Sequence, residues 1–278
     1  MENLKMSPLY QRRGRYALVK WLQSEFNRAD RKIMQFFIDI FNIFLYRPLF
    51  NVLVFLYEYL PGHDFGVAVI FLTIIIRFLL YPLMTQSIKS QKILSDLQPK
   101  IQEIQSKYKN DKEKQGQAMM ELYKKEKINP FGGCLPLLIQ LPILIALYRV
   151  FWKGLQPEQL NNLYNFIPSP GQINPDFLGI INLGSASIAL ALLAGITQFF
   201  QTKMMTPKFQ KTQQSKDQMA KFSDMMQKQM LYLMPIFTVF ILWKLPAALA
   251  VYWIITALFS IAQQHLIFKK INYESAKS

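Results

Sequence analysis

Apolar residues in this chain are pooled into five long blocks: Phe65–Met84, Cys134–Trp152, Phe177–Phe200, Met230–Trp243 and Ala247–Phe268. They are not spread at helical or strand period across one amphipathic face. Each block predicts a membrane-spanning helix, because about 20 apolar residues rising 1.5 Å each cross a hydrocarbon core. The fourth block is the shortest, roughly 20 Å as a helix. Only Lys244, Leu245 and Pro246 separate it from the fifth, which predicts a tight hairpin. The pattern is that of an all-α, polytopic membrane protein with a five-helix transmembrane core over residues 61–268.

The stretches between blocks alternate in charge. Residues 85–133 hold ten Lys and residues 201–229 hold six, whereas the loop from Lys153 to Asp176 and the turn at Lys244 hold one each. Positive charge stays on the cytoplasmic side, so the Lys-rich loops and the tail at 269–278 are expected inside. Trp152 and Trp243 then fall at the outer interface, where aromatic anchors belong. The expected address is a bacterial plasma (inner) membrane, with the C-terminus cytoplasmic.

Within the first Lys-rich loop, Leu94, Leu97, Ile101, Ile104 and Tyr108 recur at helical spacing. Asn110 and Asp111 suit a turn, and Met119, Met120, Leu122 and Tyr123 mark a second amphipathic helix. Residues 86–128 therefore predict a cytoplasmic helical hairpin. The N-terminus divides into a basic extension, residues 1–32 with eight Lys or Arg, and a segment at 33–60. Asp39, Arg47, Pro48 and Glu58 interrupt that segment, and two readings fit: a membrane-crossing helix, or an amphipathic helix on the outer surface.

Composition narrows the function. The net charge of +15 would suggest nucleic acid in a soluble protein. Here the basic residues cluster between apolar blocks and suit anionic headgroups instead, so no nucleic-acid binding is expected. One cysteine, Cys134, excludes an internal disulfide and a multi-cysteine metal site. No HExxH, GxSxG or phosphate-binding glycine loop is present. Neither catalysis nor a cofactor is expected.

Polar residues inside the blocks carry the most information. Arg77 is the single charge in Phe65–Met84, and a cation at such depth costs roughly 2.5–3.5 kcal/mol on insertion scales. Thr73, Arg77, Tyr81 and Thr85 follow each other at intervals of four, as do Tyr252, Thr256, Ser260 and Gln264, so each set shares a helix face. Gln263 is adjacent. Gln140 sits between Pro136 and Pro142, and Gln198 and Gln201 lie near the inner end of the third block. Arg77 lies about 10 Å from the inner end of its helix, and Gln140, Ser260 and Gln263 fall at comparable depth. A lone arginine can snorkel to headgroups, and scattered Gln or Ser can serve only as interhelical hydrogen bonds. Convergence from four helices at one level favours a hydrated groove, open inward and sealed outward. No Asp or Glu lies in any block, so Arg77 is poised for an anionic group brought by a visitor. A small-anion transporter or channel would use the same cation and is the alternative reading.

Three sequence stretches resemble the YidC family of membrane protein insertases. They are Tyr46-Arg47-Pro48-Leu49-Phe50 with Ile76-Arg77-Phe78-Leu79-Leu80-Tyr81-Pro82, then Asn129-Pro130-Phe131-Gly132-Gly133-Cys134-Leu135-Pro136 running on to Gln140-Leu141-Pro142-Ile143, and Leu245-Pro246 with Leu249 and Tyr252-Trp253. The resemblance covers about residues 41–268. It implies an insertase and chaperone that moves short extracytoplasmic segments of nascent membrane proteins across the bilayer without nucleotide hydrolysis. Arg77 matches the family's groove arginine, and Gln198 and Trp253 match polar groove positions in the third and fifth core helices. Hydrophobic faces of those two helices are expected to guide the client's transmembrane segment, and the hairpin to recruit it. The implied partners are nascent membrane proteins, the lipid bilayer, the ribosome and the Sec translocon. A ten-residue tail after Phe268 argues against ribosome docking through a long basic tail. The second Lys-rich loop is rich in Met, with Met204, Met205, Met219, Met225 and Met226, a residue suited to adaptable apolar contact.

Overall fold

The computed structural model describes residues 32–126, 129, 135–154, 156–206, 225 and 228–275. The basic lead through Arg31, the Pro130–Cys134 stretch and most of the Met-rich loop, Met219 and Met226 included, lie outside the described residues. By its internal contacts the chain divides between Pro48 and Leu49.

Helix α1 covers Lys32–Tyr59, with π-helical hydrogen bonding over Asn42–Tyr46. Helices α2 (Phe65–Asp96), α3 (Gln98–Lys107), α4 (Lys112–Lys125) and α5 (Leu135–Lys153) follow. A loop then leads through a two-residue antiparallel ribbon, β1 (Asp176–Phe177) with β2 (Ile181–Asn182), to α6 (Ile188–Met205). The chain ends with α7 (Gln229–Leu242) and α8 (Ala247–Ser275). Among the described residues, α1, α2, α6 and the segment Ala247–Ile271 of α8 are long and apolar enough to cross a membrane, and α7 is a shorter apolar helix. The protein is a helical, multi-pass membrane protein.

Two boundaries differ from the apolar runs. Helix α2 continues beyond Met84 to Asp96, because nothing between them breaks a helix. The run starting at Phe177 becomes helical only at Ile188. Before it, Leu178 and Gly179 take left-handed backbone to turn β1 into β2. Ser187 then caps α6 by accepting from Leu190 N–H.

Helix α8 packs mainly against α6 and α2, and α7 lies against α6. A Cβ on Gly195 of α6 would overlap Val239 and stand 3.2 Å from the Pro235 carbonyl oxygen. The α6–α7 approach is thus set by a missing side chain, as in small-residue membrane packing.

The loop end of this unit is tied down. Asp64 accepts from Val67 N–H at the start of α2 and from Leu178 N–H in the turn. Ala247 and Ala248 donate to the Ser185 and Leu183 carbonyls. Buried Asn51 donates to the Asn162 carbonyl and accepts from Tyr164 N–H. Phe65, Phe151, Leu183 and Ala247–Ala250 are fully or almost fully buried beneath these bonds. At the other end, α3 and α4 form an antiparallel hairpin closed by Lys100 to Glu126 at 2.8 Å. Asp111 caps α4, and the Lys114 backbone N–H bonded to its carboxylate holds that group below the usual carboxylate range.

Candidate functional site

Arg77 belongs to the middle of α2, yet its side chain is only 6% exposed. Its Nε donates to Thr256 Oγ1 of α8 at 3.4 Å. Among the described residues it has no carboxylate partner. The guanidinium lines a cavity of about 290 Å³ in the half of the core nearer the hairpin. A buried cation without a counter-ion needs water or a visiting anion, because a low dielectric penalises it heavily.

Four helices build the cavity wall. Helix α2 contributes Arg77, Met84, Ile88 and Gln91, and α5 contributes Pro136 and Gln140. Gln198, Gln201 and Thr202 come from α6, and Trp253, Thr256, Ser260, Gln263 and Gln264 from α8. Arg77 is the charged residue among them.

Hydrogen bonds fix the wall. Gln140 Nε2 donates to the Tyr252 hydroxyl at 2.6 Å, joining α5 to α8. Trp253 Nε1 donates to Gln198 Oε1 at 3.1 Å, joining α8 to α6. Gln263 Nε2 donates to the Tyr81 carbonyl and to Thr85 Oγ1, joining α8 to α2. Each bond crosses a helix interface and ties two walls of the cavity together. Gln264 is different: its Oε1 is buried with no donor among the described residues. An unmet buried acceptor costs about 1–3 kcal/mol, and this one lies in the wall of the cavity, out of contact with its interior.

Of the sequence candidates, Arg77, Gln140, Gln198, Trp253, Thr256, Ser260 and Gln263 line this cavity. Tyr252 does not line it but anchors Gln140. Thr73 is buried, and its hydroxyl donates to the Val69 carbonyl in its own helix. Tyr81 supplies a carbonyl, while its ring lies edge-on to Phe259. The reason is the partner each side chain takes: the Thr73 hydroxyl turns back to its own helix's backbone, and the Tyr81 ring packs against Phe259. The face that keeps to Arg77 runs through Met84, Ile88 and Gln91, at intervals of seven, four and three. The last of these lie beyond the apolar block, where the sequence reading places the hairpin.

Residues 55–275 match the sequence family described as 60Kd inner membrane protein. A membrane protein insertase YidC of Clostridium tetani is 41% identical over 216 residues, covering 78% of this chain and 87% of that protein. A membrane protein insertase YidC of Shewanella loihica is 39% identical over 217 residues, covering 77% of this chain but 35% of the relative. The chain thus spans most of the one and about a third of the other. A solved structure, an active YidC insertase with its first transmembrane domain resolved, aligns with TM-score 0.51 and 25% identity over 78% of this chain and 45% of that one. Matched over most of its length by these sequences and by that fold, the chain belongs to the YidC family of membrane protein insertases.

Proposed function

We propose that this protein inserts nascent membrane proteins by taking a client's polar tail into the Arg77 cavity. The observation that carries the reading is a buried arginine without a carboxylate partner, lining a hollow beside the hairpin end of the core. The Lys-rich loops at that end favour the cytoplasmic side, since positive charge is retained there. A tail entering there exchanges bulk water for the amides of Gln140, Gln198 and Gln263, and an acidic side chain in it pairs with Arg77.

The cavity leaves roughly half of a 30 Å hydrocarbon core to be crossed, and the short helix α7 favours local thinning of the bilayer. The client's apolar segment then moves into lipid, gaining about 25 cal/mol per Å² of apolar surface removed from water. The membrane potential adds about 2.3 kcal/mol per 100 mV for each acidic charge moved outward. These terms drive the step without nucleotide hydrolysis. The hairpin formed by α3 and α4 receives the client, and the ribosome and the Sec translocon are partners on either side of that step.

Purified protein in sealed liposomes tests the reading. A small single-span client with an acidic tail is expected to insert with its tail protected from external protease, while a small anion does not cross. Anion flux without insertion would make the protein a transporter.

A further inference from the structure

The turn from β1 to β2, at the loop end of the core, carries the wrong side chain for a turn in water. Its central residues, Leu178 and Gly179, have φ of 53° and 67°, and Ile180 N–H donates to the Phe177 carbonyl at 3.0 Å. Two left-handed residues in succession favour Asn-Gly. There a Cβ crowds the following carbonyl, and Asn offsets the crowding with local hydrogen bonds. Leucine offers no such bond. Leu178 is moreover 63% exposed, and Ile180 is 81% exposed. In water this tip would be unfavourable twice, in its backbone and in its solvation.

Its neighbours set its level in the membrane. Phe177 rests on Gly66, where a Cβ would overlap its ring, and Leu178 N–H donates to Asp64, which caps α2. The tip therefore sits at the first turn of a membrane-spanning helix. Beside Gly66, Phe65 meets Phe151 edge-on at 6.2 Å, and half-exposed Trp152 follows in the chain. The turn thus shares its level with an aromatic anchor, where membrane meets water.

The tip also suits lipid. No charged residue occurs from Phe177 to Thr202, so embedding the turn draws no charge in with it. The Leu178 and Ile180 N–H groups are already bonded, which lowers the cost of leaving water. Two aliphatic side chains on a tight turn make a small face, far short of the roughly 800 Å² that each partner buries in a stable protein interface. Lipid is already within reach at the end of α2.

We infer that the Leu178–Ile180 turn is a wedge seated in the bilayer interface at the loop end, with its two aliphatic side chains among headgroups and upper acyl chains. Through Asp64 and Gly66 the wedge fixes the depth of α2, and with it the depth of Arg77. The inference holds whatever passes through the Arg77 cavity.

Collision rates of a nitroxide label test it, on the full chain in liposomes. In a Cys134→Ser background, the label is attached at Ile180→Cys or, as a reference in the hairpin turn, at exposed Asn110→Cys. Oxygen, which concentrates in lipid, should collide more often than a water-soluble nickel complex at position 180, and less often at position 110. Leu178→Asn fits the left-handed backbone better, so it alters the lipid contact without straining the turn. It should shift the ratio of embedded to exposed turn at position 180 by about tenfold toward water. Nickel dominating at position 180 with Leu178 in place would put the turn in water, and weak collisions with both reagents would put it under protein. An unchanged ratio in Leu178→Asn would remove Leu178 from the contact. Each of these three results overturns the inference.

Discussion

Arg77→Ala is expected to reduce insertion of a client with an acidic tail by about tenfold to a hundredfold, with the protein still folded. The magnitude follows from losing one hydrogen bond to a charged group, about 1.5–3 kcal/mol, at one factor of ten per 1.4 kcal/mol. Folding should survive because, among the described residues, Arg77 makes one long bond, to Thr256, and removing a buried cation that no carboxylate there compensates relieves a desolvation cost. Arg77→Lys should keep much of the activity, since the tail needs a positive charge more than a planar fork. A client whose tail carries Asn in place of Asp should lose less to Arg77→Ala. Insertion assays on these three proteins, with both clients, give the answer. Equal rates throughout would take Arg77 out of the mechanism.

The second large effect is structural. Gly195→Ala places a Cβ into Val239 and against the Pro235 carbonyl, so α6 and α7 must separate. Overpacking of this kind costs about 1–3 kcal/mol, and here it also shifts the helix that carries Gln198. Thermal unfolding in detergent should show the loss, and a Val239→Ala partner substitution should recover part of it. An unchanged midpoint for Gly195→Ala would mean that the helices adjust freely.

The helical, multi-pass architecture was legible because apolar blocks long enough to cross a bilayer leave few other folds. What the blocks could not convey was where helices continue or begin. Residues Thr85–Asp96 are polar enough to read as loop, yet they extend α2 without a break. Phe177–Ile181 are apolar enough to read as membrane, yet they form a turn held by Asp64. The cavity was legible in its depth, because Arg77, Gln140, Ser260 and Gln263 lie at similar distances from the inner ends of their blocks. It was less legible in its rim. Gln91 and Thr202 follow their apolar runs and look like ordinary surface residues. Thr73 and Tyr81 lie one turn either side of Arg77, but the partners they take, the Val69 carbonyl and the Phe259 ring, depend on how the helices pack. No sequence signal marks Gln264 as the residue with an unmet acceptor, because that depends on which donors the packed helices bring near its Oε1.

The central claim is a hydrated hollow reached from the hairpin side and closed toward the loop side. Its most direct test is side-specific chemistry at Ser260, a lining residue. In a Cys134→Ser background, Ser260→Cys would be exposed to a negatively charged methanethiosulfonate in membranes of known orientation. Labelling from the hairpin face, with none from the loop face, is what a cavity of this form predicts. A thiol that reacts from neither face, or reacts from the loop face, would contradict it.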